Sequence, residues 1–214
     1  MSNIKLVHSG GNSVSLTTPT NNPASNVTFK LPQSDGSAGQ VLTTDGNGNL
    51  SWVTLPSSGL TVAQQFRTTA SKATNNETAI FDSNWEKVDD NAAGSLGSFA
   101  LPTSGIFTFP TTGIYYVTFM SYFEDSGFNN SAQIQIQATI NNSDYDTFSA
   151  ANFGTQYDNS GYNYQSGHVS AMIDVTDVTQ VKVRFRAYSN SSVSWDGSST
   201  QTRTGATFIR LGDT

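Results

Sequence analysis

Apolar and polar positions alternate at period two through most of the second half of the chain, and the pattern is densest at residues 99–123, FALPTSGIFTFPTTGIYYVTFMSYF. Gly105 and the turn residues 110–113 divide it into a short strand, 106–109, and a long one, 114–123, joined as a hairpin or as a corner between two sheets. Successive strand residues point to opposite faces. Tyr115, Val117, Phe119 and Phe123 therefore share one side, while Ile114, Tyr116, Met120 and Tyr122 share the other. Both sides are apolar, so this strand needs two covers: the opposite sheet of its own sandwich and something further. A second copy of the subunit is the simplest further cover, and a loop or helix of the same chain is the alternative.

Weaker strand patterns flank this centre. Residues 62–69 and 79–81 precede it. Ile134, Ile136, Ala138 and Ile140 alternate with Gln133, Gln135, Gln137 and Thr139 after it. Val169, Ala171, Ile173 and Val175, then Val181, Val183, Phe185 and Ala187, repeat the same alternation, and residues 205–211 close the series. Residues 84–93 are polar and read as a loop, with a helical turn as an option around Glu86 and Lys87. Two long loops are predicted: 143–167, with Tyr145, Phe148, Phe153, Tyr157, Tyr162 and Tyr164, and 190–203, with Trp195. About eight or more strands without a convincing helix make the fold class all-β, a jelly-roll sandwich of two sheets.

The first part of the chain is different. Residues 4–7, 14–16 and 27–31 are strand fragments too short to be stable unless they pair with other chains. Residues 41–42 pair with 50–53 across a turn at 45–49. Asp45, Asn47 and Asn49 imitate the opening of a calcium loop, but Leu50 stands where that loop requires glycine and Pro56 where it requires a bidentate glutamate, so the hairpin reading is preferred. A Pro-Ser-Ser-Gly hinge at 56–59 separates an N-terminal arm, 1–58, from a C-terminal head, 59–214.

Composition narrows the function classes. Of 214 residues, 36% are apolar and only 12% charged, and an aromatic content of 11% argues for a packed core over disorder. A net charge of −6 argues against a nucleic-acid binder that neutralises phosphates. The one basic cluster, Lys182, Arg184 and Arg186, is spaced by two along a strand and reads as a solvated face. There is no cysteine, hence no disulfide framework and no thiolate site. The opening MSNIKLVHSGGNS lacks an apolar signal core, and no run approaches the ~20 apolar residues that span a bilayer, so a soluble protein without membrane insertion is expected.

Two resemblances emerge from the residues. Asn26-Val27-Thr28-Phe29-Lys30-Leu31-Pro32, Asp35-Gly36-Ser37-Ala38-Gly39-Gln40-Val41-Leu42 and Asp45-Gly46-Asn47-Gly48-Asn49-Leu50-Ser51-Trp52 resemble a module of bacteriophage tail fibres and other virion appendages, over about residues 13–54. Gly105-Ile106-Phe107-Thr108-Phe109-Pro110, Gly113-Ile114-Tyr115-Tyr116-Val117-Thr118-Phe119 and the terminal Gly205-Ala206-Thr207-Phe208-Ile209 resemble the globular head of complement C1q and its tumour necrosis factor-like relatives, over about 62–212. The chain departs from that pattern at Asp177-Val178-Thr179-Gln180, where a Gly-Asp turn is usual. The second resemblance implies a compact homotrimer with Ile114, Tyr116, Thr118, Met120 and Tyr122 at the interface and the last strand ending near the axis. Three copies would also let the short N-terminal fragments complete one another.

Catalytic chemistry has little to draw on. His8 and His168 are the only histidines, and no Gly-x-Ser-x-Gly elbow or phosphate loop occurs. The adjacent carboxylates Asp89-Asp90, Glu124-Asp125 and Asp144-x-Asp146 have no feature pairing them across a groove, so no enzyme and no cofactor is expected. Calcium is the one candidate ion, on Asp144, Asp146 and Asp158, against a plain hydrated loop. Recognition is expected from aromatic residues set among Ser, Asn and Gly: Tyr145, Phe153, Tyr157, Tyr162, Tyr164 and Trp195. The combined expectation is a phage virion protein at the particle surface. It is a homotrimeric fibre or spike that meets other virion proteins through residues 1–55 and a host surface glycan or protein through its head. The alternative is a capsid decoration or cement protein whose arm binds the shell.

Overall fold

Burial along β9 (Gly113–Asp125) alternates without exception, every odd-numbered residue buried and every even-numbered one half-buried. That is the signature of a strand with one face in a core and the other partly covered. The computed structural model describes residues 4–16, 19–21, 23–54, 60–90, 92–125, 131–154 and 163–214. It divides into two units, Met1–Ser58 and Gly59–Thr214. Among the described residues there is no helix, and so none long and apolar enough to cross a membrane.

In the second unit ten antiparallel strands form one hydrogen-bonded set folded into two layers. The first layer runs β7 (Trp85–Lys87), β5 (Ala63–Thr68), β14 (Thr204–Gly212), β9 and β12 (Asn163–Val175). The second places β6 (Lys72–Ile80) and β8 (Phe107–Thr108) on one side of β13 (Lys182–Trp195), with β10 (Ala132–Thr139) and β11 (Asp146–Phe153) on the other. The layers join where Val193–Trp195 of β13 pair with Phe123–Asp125 of β9. Because β8 pairs with β13 while β9 lies in the first layer, residues 106–113 form a corner between sheets and not a hairpin.

The core is built from aromatic rings at the inward positions of both layers. Phe119 of β9 stacks on Phe185 of β13 with centroids 4.5 Å apart. Phe208 of β14 meets the rings of Phe66, Phe99, Phe107, Phe109 and Phe185 at 4.7–6.0 Å. Such rings contribute by area burial and by about 0.5–1.5 kcal/mol per well-placed pair beyond it.

Several expected loops are strands. Trp85–Lys87 within 84–93 is β7, paired with β5, and no helical turn forms around Glu86 and Lys87. The cause is Arg67 on β5, which is 1% exposed. Its Nε donates to Glu86 Oε1 at 2.6 Å, its Nη1 to Asp90 Oδ2 at 2.5 Å and its Nη2 to Asp89 Oδ1 at 3.0 Å. The Glu86 hydrogen bond, reinforced by Asp90, raises the Arg67 pKa above its ordinary value against the opposing pull of desolvation. The buried partner is the cation, whereas Asp89 and Asp90 keep 77% and 50% of their side-chain surface. Glu86→Gln with Asp89→Asn and Asp90→Asn is therefore expected to cost about 3 kcal/mol in denaturant unfolding, because it leaves a buried guanidinium without a counter-charge. Arg67→Met, which returns the carboxylates to water, should cost clearly less. The reverse order would mean that the carboxylates, not the cation, are the strained party.

The first unit contains two hairpins: β1 (Ile4–Val7) with β2 (Ser13–Leu16), and β3 (Gln40–Thr44) with β4 (Leu50–Thr54). The β3–β4 turn is the one expected at 45–49. Asp45 Oδ1 accepts the backbone N–H groups of Asn47 and Asn49 at 2.8 and 3.1 Å, and its Oδ2 accepts Asn49 Nδ2 at 2.5 Å. Trp52 Nε1 donates to Ser34 O at 3.0 Å, and its indole lies so close that a Cβ on Gly36 would sit 2.6 Å from it. Gly36 and Trp52 are thus required together. Residues 27–31, expected as a strand, make a single parallel bridge at Lys30, whose N–H donates to Gly48 O at 2.8 Å and whose carbonyl accepts Leu50 N–H at the start of β4 at 2.9 Å.

The Asn49 side chain, then the Asn47 backbone, hold the Asp45 carboxyl below its ordinary value of 3.8. A depressed folded-state pKa contributes stability that is present above the unfolded value and lost as pH falls through the folded one. The amide resonances of Asn47 and Asn49 are expected to shift together in an acid titration, with a midpoint below 3.8. A midpoint at or above it would remove the carboxylate from the turn.

Candidate assembly and recognition site

The residues expected at a subunit interface lie together on the outward face of the first layer. Ile114, Tyr116, Thr118, Met120 and Tyr122 are the half-buried positions of β9. Pairing sets their neighbours: Tyr116 lies between Met172 of β12 and Ile209 of β14, Thr118 between Ser170 and Thr207, and Met120 between His168 and Gly205. Met172 is 54% exposed. Tyr116, Met172 and Ile209 thus form an apolar row across three strands, with Met120 above and Ile114 below. Met172 and Ile209 were not expected here. Met172 was legible as the single apolar residue on the polar side of the 169–175 alternation.

Toward the end of β9 where the layers join, Tyr122 stacks on Tyr164 of β12 with centroids 5.9 Å apart and planes 12° from parallel. Arg203, ion-paired to Asp196 at 2.9 Å, holds its Cζ 5.8 Å from the Tyr122 centroid. Met120, Tyr122, Ser166, Gln201, Thr202 and Arg203 line an open groove of about 340 Å³ there.

The described members of the aromatic recognition set do not form one surface. Tyr145 immediately precedes β11 and Phe153 ends it, about 26 Å of extended chain apart. Tyr145 is half-buried with Arg184 Cζ 4.0 Å from its ring centroid. Burial pushes its hydroxyl above the usual phenol range, with the Arg184 charge pulling the other way. Phe153 is half-buried against Phe123 at 5.7 Å, and its ring covers Gly167 so closely that a Cβ there would sit 2.0 Å from it. Tyr164 is 58% exposed, with its ring stacked on Tyr122. Tyr157 and Tyr162 lie outside the described residues.

Trp195 is corrected outright. It is fully buried, packs on Phe123 at 4.7 Å and donates Nε1 to Thr74 Oγ1 at 2.8 Å. The serine-rich stretch before it resembles a loop, but β13 shifts register between Ser189 and Ser192 and continues to Trp195, which returns the indole to the core. Likewise 143–167 is not one loop, since β11 and the start of β12 lie within it.

The carboxylates once considered for chemistry have structural duties or remain apart. Asp89 and Asp90 bind Arg67, and Asp144 Oδ2 accepts Asn141 Nδ2 at 2.9 Å. Asp158, the third of the calcium candidates, lies outside the described residues. Among those described, no cluster of three or more His, Cys, Asp or Glu is placed to hold a metal. His168, on the edge strand β12, is exposed opposite Met120.

No family model matches the chain, and no curated protein matches it. Among solved structures, Eiger TNF from S. frugiperda is similar over 72% of this chain and 94% of that one, with a TM-score of 0.56 at 16% identity. Murine APRIL at pH 8.0 is similar over 70% of this chain and 98% of that one, with a TM-score of 0.49 at 13% identity. The Eiger likeness, together with the two antiparallel layers, gives the head a tumour necrosis factor-type jelly-roll fold.

Proposed function

We propose that this chain is a homotrimeric bacteriophage virion protein, a short fibre or spike whose N-terminal unit meets other virion proteins and whose head contacts a host surface glycan or protein. The observation that carries the reading is the outward face of β9. Ile114, Tyr116 and Met120, with Ile209 and the exposed Met172, make an apolar sheet face of the kind that second and third copies of the head would cover. The exposed apolar residues of the first unit support the same need for partners. Ile4, Leu6, Val14 and Leu16 are 65–73% exposed, and Phe29 and Leu31 are 66% and 76% exposed. Hairpins this small are marginal alone. The phage assignment itself rests on the ordered motifs of residues 26–52.

The role is assembly and binding, with no reaction assigned. A second reading is favoured by that same apolar first unit: an arm that laces shell subunits, making the protein a capsid decoration or cement protein. Cryo-electron microscopy of the purified particle separates them. Trimers at a tail tip or vertex, with particles lacking the protein failing to adsorb, are expected for the first reading. Trimers spread over the shell, with residues 1–55 ordered against capsid subunits, would establish the second in its place.

A further inference from the structure

The outward face of the second layer has the opposite character to that of the first. Lys182, Arg184 and Arg186 of β13 alternate with buried Val183, Phe185 and Ala187, so the three cations share the outer side of one strand. Lys182 is 8% exposed and donates Nζ to Val178 O at 2.6 Å. Arg184 donates Nε to Gln137 Oε1 at 2.9 Å, and Arg186 donates Nη2 to Thr78 Oγ1 at 2.8 Å. Neither arginine forms an ion pair, since those among the described residues involve Arg67, Lys72, Arg203 and Arg210. Asp177, whose carboxylate feels the Lys182 charge, accepts the Thr179 N–H and hydroxyl at 2.7 Å. A guanidinium carries five N–H donors. Among the described residues each arginine therefore keeps most of its fork without a protein acceptor, in a chain whose net charge is −6.

Beside this cationic strand, β10 sets a row of amides on the same face, Gln137 opposite Arg184 and Gln135 opposite Arg186. The row is ordered by its own hydrogen bonds: Gln135 donates to Gln133, Gln133 Nε2 donates to Asn152 Oδ1 at 2.6 Å, and Gln137 Nε2 donates to Thr147 Oγ1 at 3.3 Å. Tyr145 lies against Arg184, and its buried hydroxyl meets no hydrogen-bond partner among the described residues.

We infer that this face binds an acidic polysaccharide, with Arg184 and Arg186 taking its carboxylate or sulfate groups and the Gln133, Gln135, Gln137 row taking its hydroxyls. The Cα atoms of the two arginines repeat at about 6.6 Å along the strand, with Arg184 reaching to Gln137 on β10 and Arg186 to Thr78 on β6, so the two forks spread across the width of this face. Forked donors match carboxylate and sulfate oxygens in pairs. Primary amides both donate and accept, as sugar hydroxyls do. The net negative charge of the chain disfavours a polymer as densely charged as nucleic acid, at about one charge per 1.7 Å of axis, and tolerates a sparsely charged glycan. This deepens the receptor reading by naming a glycan class. It rests on the trimer for one point only, that closure over the first layer leaves the second layer outward.

The test uses the full chain and three immobilised probes: dextran, dextran sulfated at about one group per two sugars, and polygalacturonate. Binding is expected to the two anionic polymers and not to dextran, weakening as salt rises. Arg184→Gln with Arg186→Gln should reduce it at least tenfold without changing the melting temperature. Lys5→Gln with Lys30→Gln alters net charge equally and should leave binding as in the parent. No retention on either anionic polymer, equal retention on dextran, or equal loss in both double variants overturns the inference. Light scattering on the same samples reads the oligomeric state separately, so failure of the trimer and failure of the glycan face are distinguishable.

Discussion

Phe208→Ala is expected to lower the unfolding free energy by about 3–5 kcal/mol, the usual range for removing a buried phenylalanine. The size follows from where the ring sits. Five aromatic neighbours surround it, from both layers and from the segment that crosses between them, with the tilted contact to Phe99 as close as 4.7 Å. No single neighbour can fill the space, because each is itself fixed by other rings: Phe185 by Phe119 and Phe107 by Trp85. Partial collapse would have to move two sheets together. Phe148→Ala is the control, since that ring is 51% exposed on β11, and it should cost well under 1 kcal/mol. Denaturant unfolding of the full chain, compared at equal slope, reads both. Equal small costs at the two positions would mean that the aromatic cluster is fluid.

Legibility in the sequence followed burial. Strands with one face in the core declared themselves by alternation: β9, β10, the body of β12 and β13 all carry apolar residues at every second position. Strands held by a neighbour's backbone did not. In β6, KATNNETAI, only Thr74 is buried, and the strand exists because β13 pairs with it along most of its length. β11 is an edge strand with no fully buried residue, so its composition resembles a loop. β7 is three residues long and depends on a long-range ion pair that no local pattern announces. Ile140, counted with the inward residues of its strand, lies beyond the end of β10 and is 75% exposed.

The candidate site divides along the same line. The outward face of β9 was readable because an apolar residue on the wrong side of a strand is conspicuous. Trp195 misled because its local sequence, Asn190 to Gly197 in serine-rich surroundings, has loop composition, while a register shift in β13 restores the inward alternation. Arg184 and Arg186 were visible as a cationic spacing, but the missing acidic partners are a property of the sheet and not of the strand. In the first unit residues 27–31 have the composition of a strand, yet among the described residues only Lys30 is bridged, to Asn49.

On the proposed trimer, Met120→Asp and Tyr116→Asp are each expected to convert the protein to a monomer while leaving the far-ultraviolet spectrum of a β protein unchanged. Both positions are half-buried within a single head, flanked on β12 and β14 by His168 with Gly205 and by Met172 with Ile209. At Tyr116 the flanking Met172 and Ile209 pack against an apolar side chain but offer no cation to a carboxylate, whereas His168 and Arg203 stand beside Met120, so the larger effect is expected at Tyr116. Closing three copies over this face would remove the remaining water from the introduced charge. An uncompensated buried charge costs about 3–5 kcal/mol, and at about 1.4 kcal/mol per factor of ten this is roughly a thousandfold in the association constant for each interface. In the monomer the same aspartate points to solvent and costs little, so the fold survives where the assembly does not. Ile140→Asp, at an exposed position off this face, adds the same charge and should leave the trimer intact. Light scattering decides the matter: an aspartate variant that still runs as the parent trimer places the interface elsewhere, and a parent that is itself monomeric at micromolar concentration removes the reason for an apolar outer face to be covered by copies of this chain.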